Sequence, residues 1–209
     1  MNSIIDRITN EKIVAIIRSQ SSEKLVETVE SLYKGGIRTV EITMNTPGAL
    51  KGIENVKALY PDLVIGAGTV LDSETAVMAI NAGANFLLAP TLSLKTIEAS
   101  NRYDVPLIPG VFTPTEALTA YEHGAKMVKI FPIRNLGPGF LKDLNGPLPF
   151  IQTMAVGGIS VENARSYLNA GASSLGIGSS LVDNELIRTG NFEEIQRRAS
   201  KFAELAREV

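Results

Sequence analysis

The sequence predicts an α/β fold, a single compact (β/α)8 barrel made from residues 1–209. Eight short apolar segments of strand length alternate along the chain with amphipathic segments of helical length. Several of the strand segments are apolar at consecutive positions, such as residues 86–89, which is typical of parallel strands covered on both faces. Eight units in this length average about 26 residues each, near the lower end of the size range for this barrel.

The predicted strands lie at residues 13–18, 39–43, 63–68, 85–89, 106–110, 127–131, 151–156 and 174–178. The predicted helices between them lie at residues 23–34, 49–60, 74–82, 94–102, 115–122 and 161–170. In the first of these helices Leu25, Val29 and Leu32 recur at the spacing of one helix face. An open doubly wound sheet is the alternative architecture. It predicts a Gly-x-Gly-x-x-Gly motif after the first strand, and because none follows Arg18, the barrel is favoured.

The composition excludes several classes of protein. A hydrophobic fraction of 44% argues against a disordered chain, and 20 basic against 22 acidic residues leave no surplus charge for nucleic acid. The chain has no cysteine and one histidine, His123, which leaves little for a transition-metal site, although a metal held by carboxylates stays open. No segment has the length or apolar character of a membrane span or a secretory signal, so we expect a cytoplasmic protein.

Two ionisable residues lie inside apolar strand segments. Lys129 is flanked by Val128 and Ile130, and burial there would lower the pKa of its amine and make it a nucleophile toward ketones. Glu41 is placed in the same way in the second strand, where a carboxyl group suits proton transfer. A solvent-facing lysine and a salt-bridged structural glutamate are the alternatives that the local sequence leaves open.

The last two predicted strands end in glycine. Gly157 and Gly158 follow the seventh strand, and Gly178 ends the eighth. Backbone N–H groups exposed at such turns form anion sites, and barrels commonly bind phosphate after their seventh and eighth strands. Arg18, at the end of the first strand, would adjoin the eighth strand on closure and add positive charge. The alternative is that these glycines only permit tight turns.

Five segments together carry a family resemblance. They are VEIT at residues 40–43, GAGTV at 66–70, PGVFTPTE at 109–116, KIFP at 129–132 and GGI at 157–159. In this order they resemble the 2-keto-3-deoxy-6-phosphogluconate (KDPG) and 4-hydroxy-2-oxoglutarate (KHG) aldolases over nearly the whole chain. The resemblance implies a homotrimeric class I aldolase that needs no metal or other cofactor. Such an enzyme cleaves KDPG of the Entner–Doudoroff pathway, or a related 2-keto-4-hydroxy acid, to pyruvate and an aldehyde such as glyceraldehyde 3-phosphate.

The resemblance also implies roles for individual residues. Lys129 falls on the Schiff-base lysine and Glu41 on the general acid/base. The residues implied to bind substrate are Thr69, Pro90 and Phe131 around pyruvate and Arg18, Gly158, Gly178 and Ser180 near the phosphate.

Two positions depart from the family pattern. Asn45, implied to contact substrate, stands where some members have an arginine for the substrate carboxylate, and Val156 stands where a threonine often precedes the paired glycines. These departures leave the preferred substrate open. The competing functions are a barrel phosphosugar isomerase or epimerase, a phosphate-binding synthase, and a non-catalytic phosphosugar-binding protein.

Overall fold

The computed structural model describes residues 3–209, and its strands form one parallel sheet that curves into a nearly closed barrel. The strands are β1 Ile13–Ile17, β2 Thr39–Thr43, β3 Val64–Gly68, β4 Phe86–Leu88, β5 Leu107–Ile108, β6 Gly110–Val111, β7 Met127–Ile130, β8 Gln152–Val156 and β9 Ser174–Ile177. Their order across the sheet is β5-β4-β3-β2-β1-β9-β8-β7-β6. The predicted barrel is confirmed.

The nine strands correspond to the eight that the sequence predicts. β5 and β6 are two halves of one segment, interrupted at Pro109, which has no N–H to donate to a neighbouring strand. β5 pairs with β4, and β6 pairs with β7, so the broken strand lies where the sheet closes on itself. β1 pairs with β9, which confirms that the carboxyl end of β1 adjoins that of the last strand.

Helices surround the sheet. They are α1 Ile4–Glu11, α2 Leu25–Lys34, α3 Ala49–Leu59, α4 Ser73–Asn81, α5 Leu94–Asn101, α6 Pro114–Glu122, α7 Gly139–Asn145, α8 Val161–Asn169, α9 Asn184–Thr189 and α10 Phe192–Arg207, with a 3-10 helix at Ile133–Asn135. The six helices predicted with bounds are confirmed to within one or two residues at each end. The sequence interpretation gives no bounds for α1, α7, α9 and α10. α7 is only seven residues long and begins at a glycine, so its periodicity is weak.

The buried apolar residues form two clusters on opposite faces of the sheet. The larger one lies between the sheet and the surrounding helices, and the smaller one fills the inside of the barrel. Ile5 and Ile8 of α1 join the inner cluster together with Val14, Phe86 and Met127. Because α1 immediately precedes β1, it covers the amino-terminal end of the barrel. The carboxyl ends of the strands carry the βα loops, where barrels place their functional sites.

Two features are absent from residues 3–209. No helix in this range is both long and apolar enough to span a bilayer. Within the same range, no three histidine, cysteine, aspartate or glutamate residues are grouped so that they could hold a metal ion.

Candidate active site

Lys129 and Glu41 are both buried in the sheet and lie close enough for their charges to interact. Lys129 lies in the middle of β7 and Glu41 in the middle of β2, two strands separated by β1, β9 and β8 in the sheet. The exposed fraction is 6% for Lys129 and 1% for Glu41. Neither a solvent-facing lysine nor a salt-bridged glutamate describes this geometry, since no cation among residues 3–209 lies within 4.0 Å of the Glu41 carboxylate.

Burial dominates the protonation of Glu41. Loss of solvation raises the pKa of its carboxyl group to about 7, although the positive charges of Lys129 and Arg18 act to lower it. Its Oε2 atom is fully buried and has no hydrogen-bond partner among residues 3–209. A carboxyl group with this pKa exists in both protonation states near neutral pH, which is the property a general acid/base requires.

Lys129 is shifted in the opposite direction. Burial lowers the pKa of its ammonium group, and the charge of Arg18 adds to this effect while that of Glu41 opposes it. Its Nζ atom lies 4.7 Å from the centroid of the Phe131 ring. The amine therefore has a larger neutral fraction than a surface lysine, and the neutral amine is the form that attacks a carbonyl group.

The end of β3 supports the Glu41 carboxyl group. A Cβ atom added at Gly68 would lie 2.7 Å from Cδ of Glu41, so only glycine leaves room for the carboxyl group. The next residue, Thr69, is half-buried and has a φ of 58°, an uncommon conformation for a β-branched residue. Such backbone strain costs about 1–3 kcal/mol and is found preferentially at functional sites.

Pro90 and Phe131 lie at the ends of the strands near Lys129. Pro90 follows β4, and its backbone packs directly against Gly110, the residue paired with Lys129 across the β6–β7 ladder. Phe131 follows β7, and both residues are half-buried. The structure therefore brings Thr69, Pro90 and Phe131 to the same end of the barrel as Lys129 and Glu41. Their contact with pyruvate stays a prediction.

The loops after β8 and β9 carry a set of backbone N–H groups without acceptors. Within residues 3–209, the amides of Gly157, Gly158 and Ile159 in the first loop and of residues 178–180 in the second make no hydrogen bond. The two loops are joined directly, because Ser180 Oγ donates a 2.6 Å hydrogen bond to the carbonyl oxygen of Ile159. Six N–H donors without a protein acceptor on two joined loops are a backbone arrangement suited to an anion.

The remaining predicted residues surround these loops. No atom lies within 4 Å of a Cβ added at Gly178, so the loop after β9 faces open space. Arg18 is exposed at the end of β1, the strand that pairs with β9. The Ser180 hydroxyl donates a hydrogen bond to the Ile159 carbonyl oxygen, so this side chain joins the two loops, and its contact with a substrate phosphate stays a prediction.

Asn45 lies at a different point of the same barrel end. It is exposed in the loop after β2, and its side chain makes no hydrogen bond to residues 3–209. The turn is held by the neighbouring Thr46, whose buried Oγ1 accepts a hydrogen bond from the Ser19 amide at 3.1 Å. Asn45 is thus not needed to cap this turn, and its contact with substrate stays a prediction. Val156 is buried in the barrel opposite Gly176.

The fold and the site define the class of this protein: a (β/α)8 barrel with a buried lysine and a buried carboxyl group at the carboxyl ends of its strands. The chain belongs to the KDPG and KHG aldolase family, whose model matches residues 4–198.

The relatives of the chain are aldolases that differ in their sugar acid. A 2-dehydro-3-deoxy-phosphogluconate aldolase of Haemophilus influenzae is 34% identical over 195 residues, which cover 93% of this chain and 92% of the relative. A 2-dehydro-3-deoxy-6-phosphogalactonate aldolase of Escherichia coli is 33% identical over 204 residues, 96% of this chain and 97% of the relative. These relatives support a lyase activity.

A solved structure of the same family has the same fold. The KDPG aldolase of Legionella pneumophila matches with a TM-score of 0.88 and 29% identity, covering 95% of this chain and 97% of that one. In that structure pyruvate is captured at low pH as a covalent carbinolamine intermediate.

Proposed function

We propose that this protein is a class I aldolase that cleaves KDPG, or a closely related 2-keto-4-hydroxy acid, to pyruvate and an aldehyde. The observation that carries the proposal is the buried Lys129 amine, with its lowered pKa, in a site where its charge interacts with the buried carboxyl group of Glu41. The covalent pyruvate adduct of the Legionella pneumophila relative supports a step in which Lys129 bonds to the substrate.

The first half of the reaction builds an electron sink. The neutral Lys129 amine attacks the C2 carbonyl carbon and forms a carbinolamine. Protonated Glu41 gives a proton to the departing hydroxyl group, water leaves, and an iminium ion remains on Lys129. Because the pKa of Glu41 is about 7, the same carboxyl group can give this proton and later accept another.

The second half breaks the C3–C4 bond. Glu41, now a carboxylate, accepts the C4 hydroxyl proton directly or through a water molecule, and the bonding electrons move into the iminium to give an enamine. The aldehyde leaves, and it is glyceraldehyde 3-phosphate when the substrate is KDPG. Protonation of the enamine at C3 and hydrolysis of the resulting imine release pyruvate and restore the Lys129 amine.

The electron sink in this mechanism is the protonated imine, so the proposed reaction needs no metal ion or organic cofactor. In an aldolase of the metal-dependent type, a bound cation would polarise the carbonyl group instead. Removal of divalent cations therefore separates the two mechanisms, because only a metal-dependent aldolase would lose activity.

The substrate is anchored at both ends in this proposal. Thr69, Pro90 and Phe131 surround the pyruvate half near Lys129, while Arg18 and the six unpaired amides of the loops at residues 157–159 and 178–180 hold the phosphate. The family includes enzymes for KDPG and KHG, and a relative acts on the galactonate epimer. We expect Asn45 to influence the choice among them, because it stands where some members have an arginine for the substrate carboxylate.

We also propose a homotrimer as the functional form. Leu71, Met78 and Tyr103 are each half exposed or more around α4 and α5, and exposed apolar side chains of this kind mark interaction surfaces. Light scattering measures the oligomer directly, with Met78→Glu expected to dissociate it. A monomeric wild-type protein would contradict this part of the proposal.

Borohydride trapping tests the proposed chemistry. We expect wild-type protein incubated with pyruvate and borohydride to gain one reduced adduct, located by peptide mass spectrometry on Lys129. Lys129→Met should form no adduct, while the control variants Lys126→Met and Lys142→Met should form it normally. An isomerase, an epimerase, a synthase or a phosphosugar-binding protein would form no adduct, and labelling at Lys126 or Lys142 would contradict the assignment.

A further inference from the structure

Most arginines of this chain have their guanidinium groups occupied. Seven of them bind carboxylates or backbone carbonyl groups. Within the described range, Arg18, Arg134 and Arg207 make no hydrogen bond or ion pair with residues 3–209. Because arginine recognises phosphate and carboxylate groups, a guanidinium group without a partner in the protein is a candidate for contact with a ligand anion.

Two of these three arginines flank the same pair of loops. Arg18 follows β1, and Arg134 lies in the 3-10 helix Ile133–Asn135 that follows β7. In the sheet the order β1-β9-β8-β7 places β9 and β8 between those two strands. The loops that carry the six unpaired amides therefore have one unpaired arginine on each side. Arg207 lies near the end of α10, beside Gly36.

Arg134 contacts one of these loops closely. A Cβ atom added at Gly158 would lie 2.9 Å from Cβ and 3.3 Å from Cδ of Arg134, so the arginine stem runs along this glycine. The guanidinium carbon is two bonds beyond Cδ and lies within about 6 Å of the same point. Gly158 also has a φ of 76°, which disfavours any other residue. Because Gly158 has no side chain, the aliphatic part of Arg134 can occupy the space beside it.

We propose that Arg134 binds the phosphate group of the substrate and selects phosphate-terminated keto acids over unphosphorylated ones. This inference rests on the proposed function and deepens it by naming the substrate class. A phosphate dianion seated on the amides of Gly157 and Gly158 lies within reach of the Arg134 guanidinium, which donates two parallel hydrogen bonds to such an anion. Arg18 supplies the second positive charge from the opposite side.

Steady-state kinetics with a phosphorylated and an unphosphorylated substrate test this role. The variants are Arg134→Gln, Arg134→Lys and the matched control Arg207→Gln, which removes an unpaired arginine away from the site. A hydrogen bond between charged groups contributes enough to binding that we expect Arg134→Gln to raise KM for KDPG about tenfold. The KM for 2-keto-3-deoxygluconate should change far less, and kcat for KDPG should fall less than kcat/KM.

Two further results are expected if Arg134 binds phosphate. Arg134→Lys should recover part of the lost affinity for KDPG, because it restores the charge but not the paired donors. Direct titration with inorganic phosphate should show weaker binding to Arg134→Gln than to the wild type or Arg207→Gln. Equal effects on both substrates, or unchanged phosphate affinity in Arg134→Gln, would overturn the proposal.

The failure of this inference is distinct from the failure of the proposed function. Pyruvate carries no phosphate, so borohydride trapping on wild-type Lys129 reports on the aldolase chemistry alone. If the wild type forms no adduct, the aldolase proposal is wrong, and the phosphate titration still decides whether Arg134 binds the anion.

Discussion

The Glu41→Gln substitution tests two roles of the buried carboxyl group: its effect on the free energy of unfolding and its proton transfer in the proposed reaction. Glutamine keeps the shape of a protonated glutamate but cannot ionise. In the wild type, burial raises the pKa of Glu41 from 4.5 to about 7. The folded state therefore retains a proton that the unfolded chain releases, and this difference links stability to pH.

The direction and size of this effect follow from the two pKa values. Below pH 4.5 the carboxyl group is protonated in both states and contributes no difference. Between pH 4.5 and 7 the unfolded chain ionises first, so wild-type stability decreases as the pH rises. The decrease is complete above the folded pKa. At about 1.4 kcal/mol for each pH unit, the loss of stability amounts to about 3 kcal/mol. The full pKa difference counts because Glu41 is buried and solvent does not screen its charge.

Urea unfolding at pH 4.5, 6 and 8 measures the effect. We expect Glu41→Gln to have nearly wild-type stability at pH 4.5 and to exceed it by about 3 kcal/mol at pH 8, with no aldol cleavage at any pH. The exposed Glu23→Gln is the control and should follow the wild type throughout.

The coupling to Lys129 is removed by repeating the comparison in a Lys129→Met background. The lysine charge lowers the pKa of Glu41, so its removal should increase the difference at pH 8. A stability difference that is constant across the pH range, or one that favours the wild type as pH rises, would refute the assignment of a raised pKa to Glu41.

Three further outcomes are expected. Gly68→Ala should lower kcat by about one to two powers of ten and stability by about 1–3 kcal/mol, because its Cβ would displace the Glu41 carboxyl group. Gly139→Ala, whose added Cβ would meet no atom within 4 Å, should not lower either quantity, and wild-type kinetics in Gly68→Ala would contradict the contact. Cleavage activity should survive exhaustive EDTA treatment, and loss of activity that Mg²⁺ or Mn²⁺ restores would point to a metal-dependent reaction. Asn45→Arg should lower KM about tenfold for the 2-keto-4-hydroxy acids that yield pyruvate, because arginine adds a charged partner for their carboxylate. Values of kcat/KM that are unchanged in both Asn45→Arg and Asn45→Ala would show that residue 45 does not face the substrate.

The sequence by itself determined the order and approximate bounds of the strands and the identity of the buried ionisable pair. Lys129 and Glu41 stand out because a charge within a consecutive apolar segment is costly unless it has a function. The paired glycines after β8 were recognisable for a similar reason, since their backbone freedom is a local property. These signals are contained in a few neighbouring residues and need no knowledge of the fold.

The tertiary structure decided which of these residues meet. Closure of the barrel confirms the expected place of Arg18 beside β9, whereas the packing of β2 against β3, which leaves room for the Glu41 carboxyl group only because residue 68 is glycine, was not predictable. The contact of Arg134 with Gly158 joins positions that are distant in the chain and on different loops, so no local pattern predicts it. The positive φ of Thr69 was equally hidden, because surrounding contacts impose it against the residue's own preference. These features depend on contacts between segments that are distant in the chain, which form only when the whole chain folds.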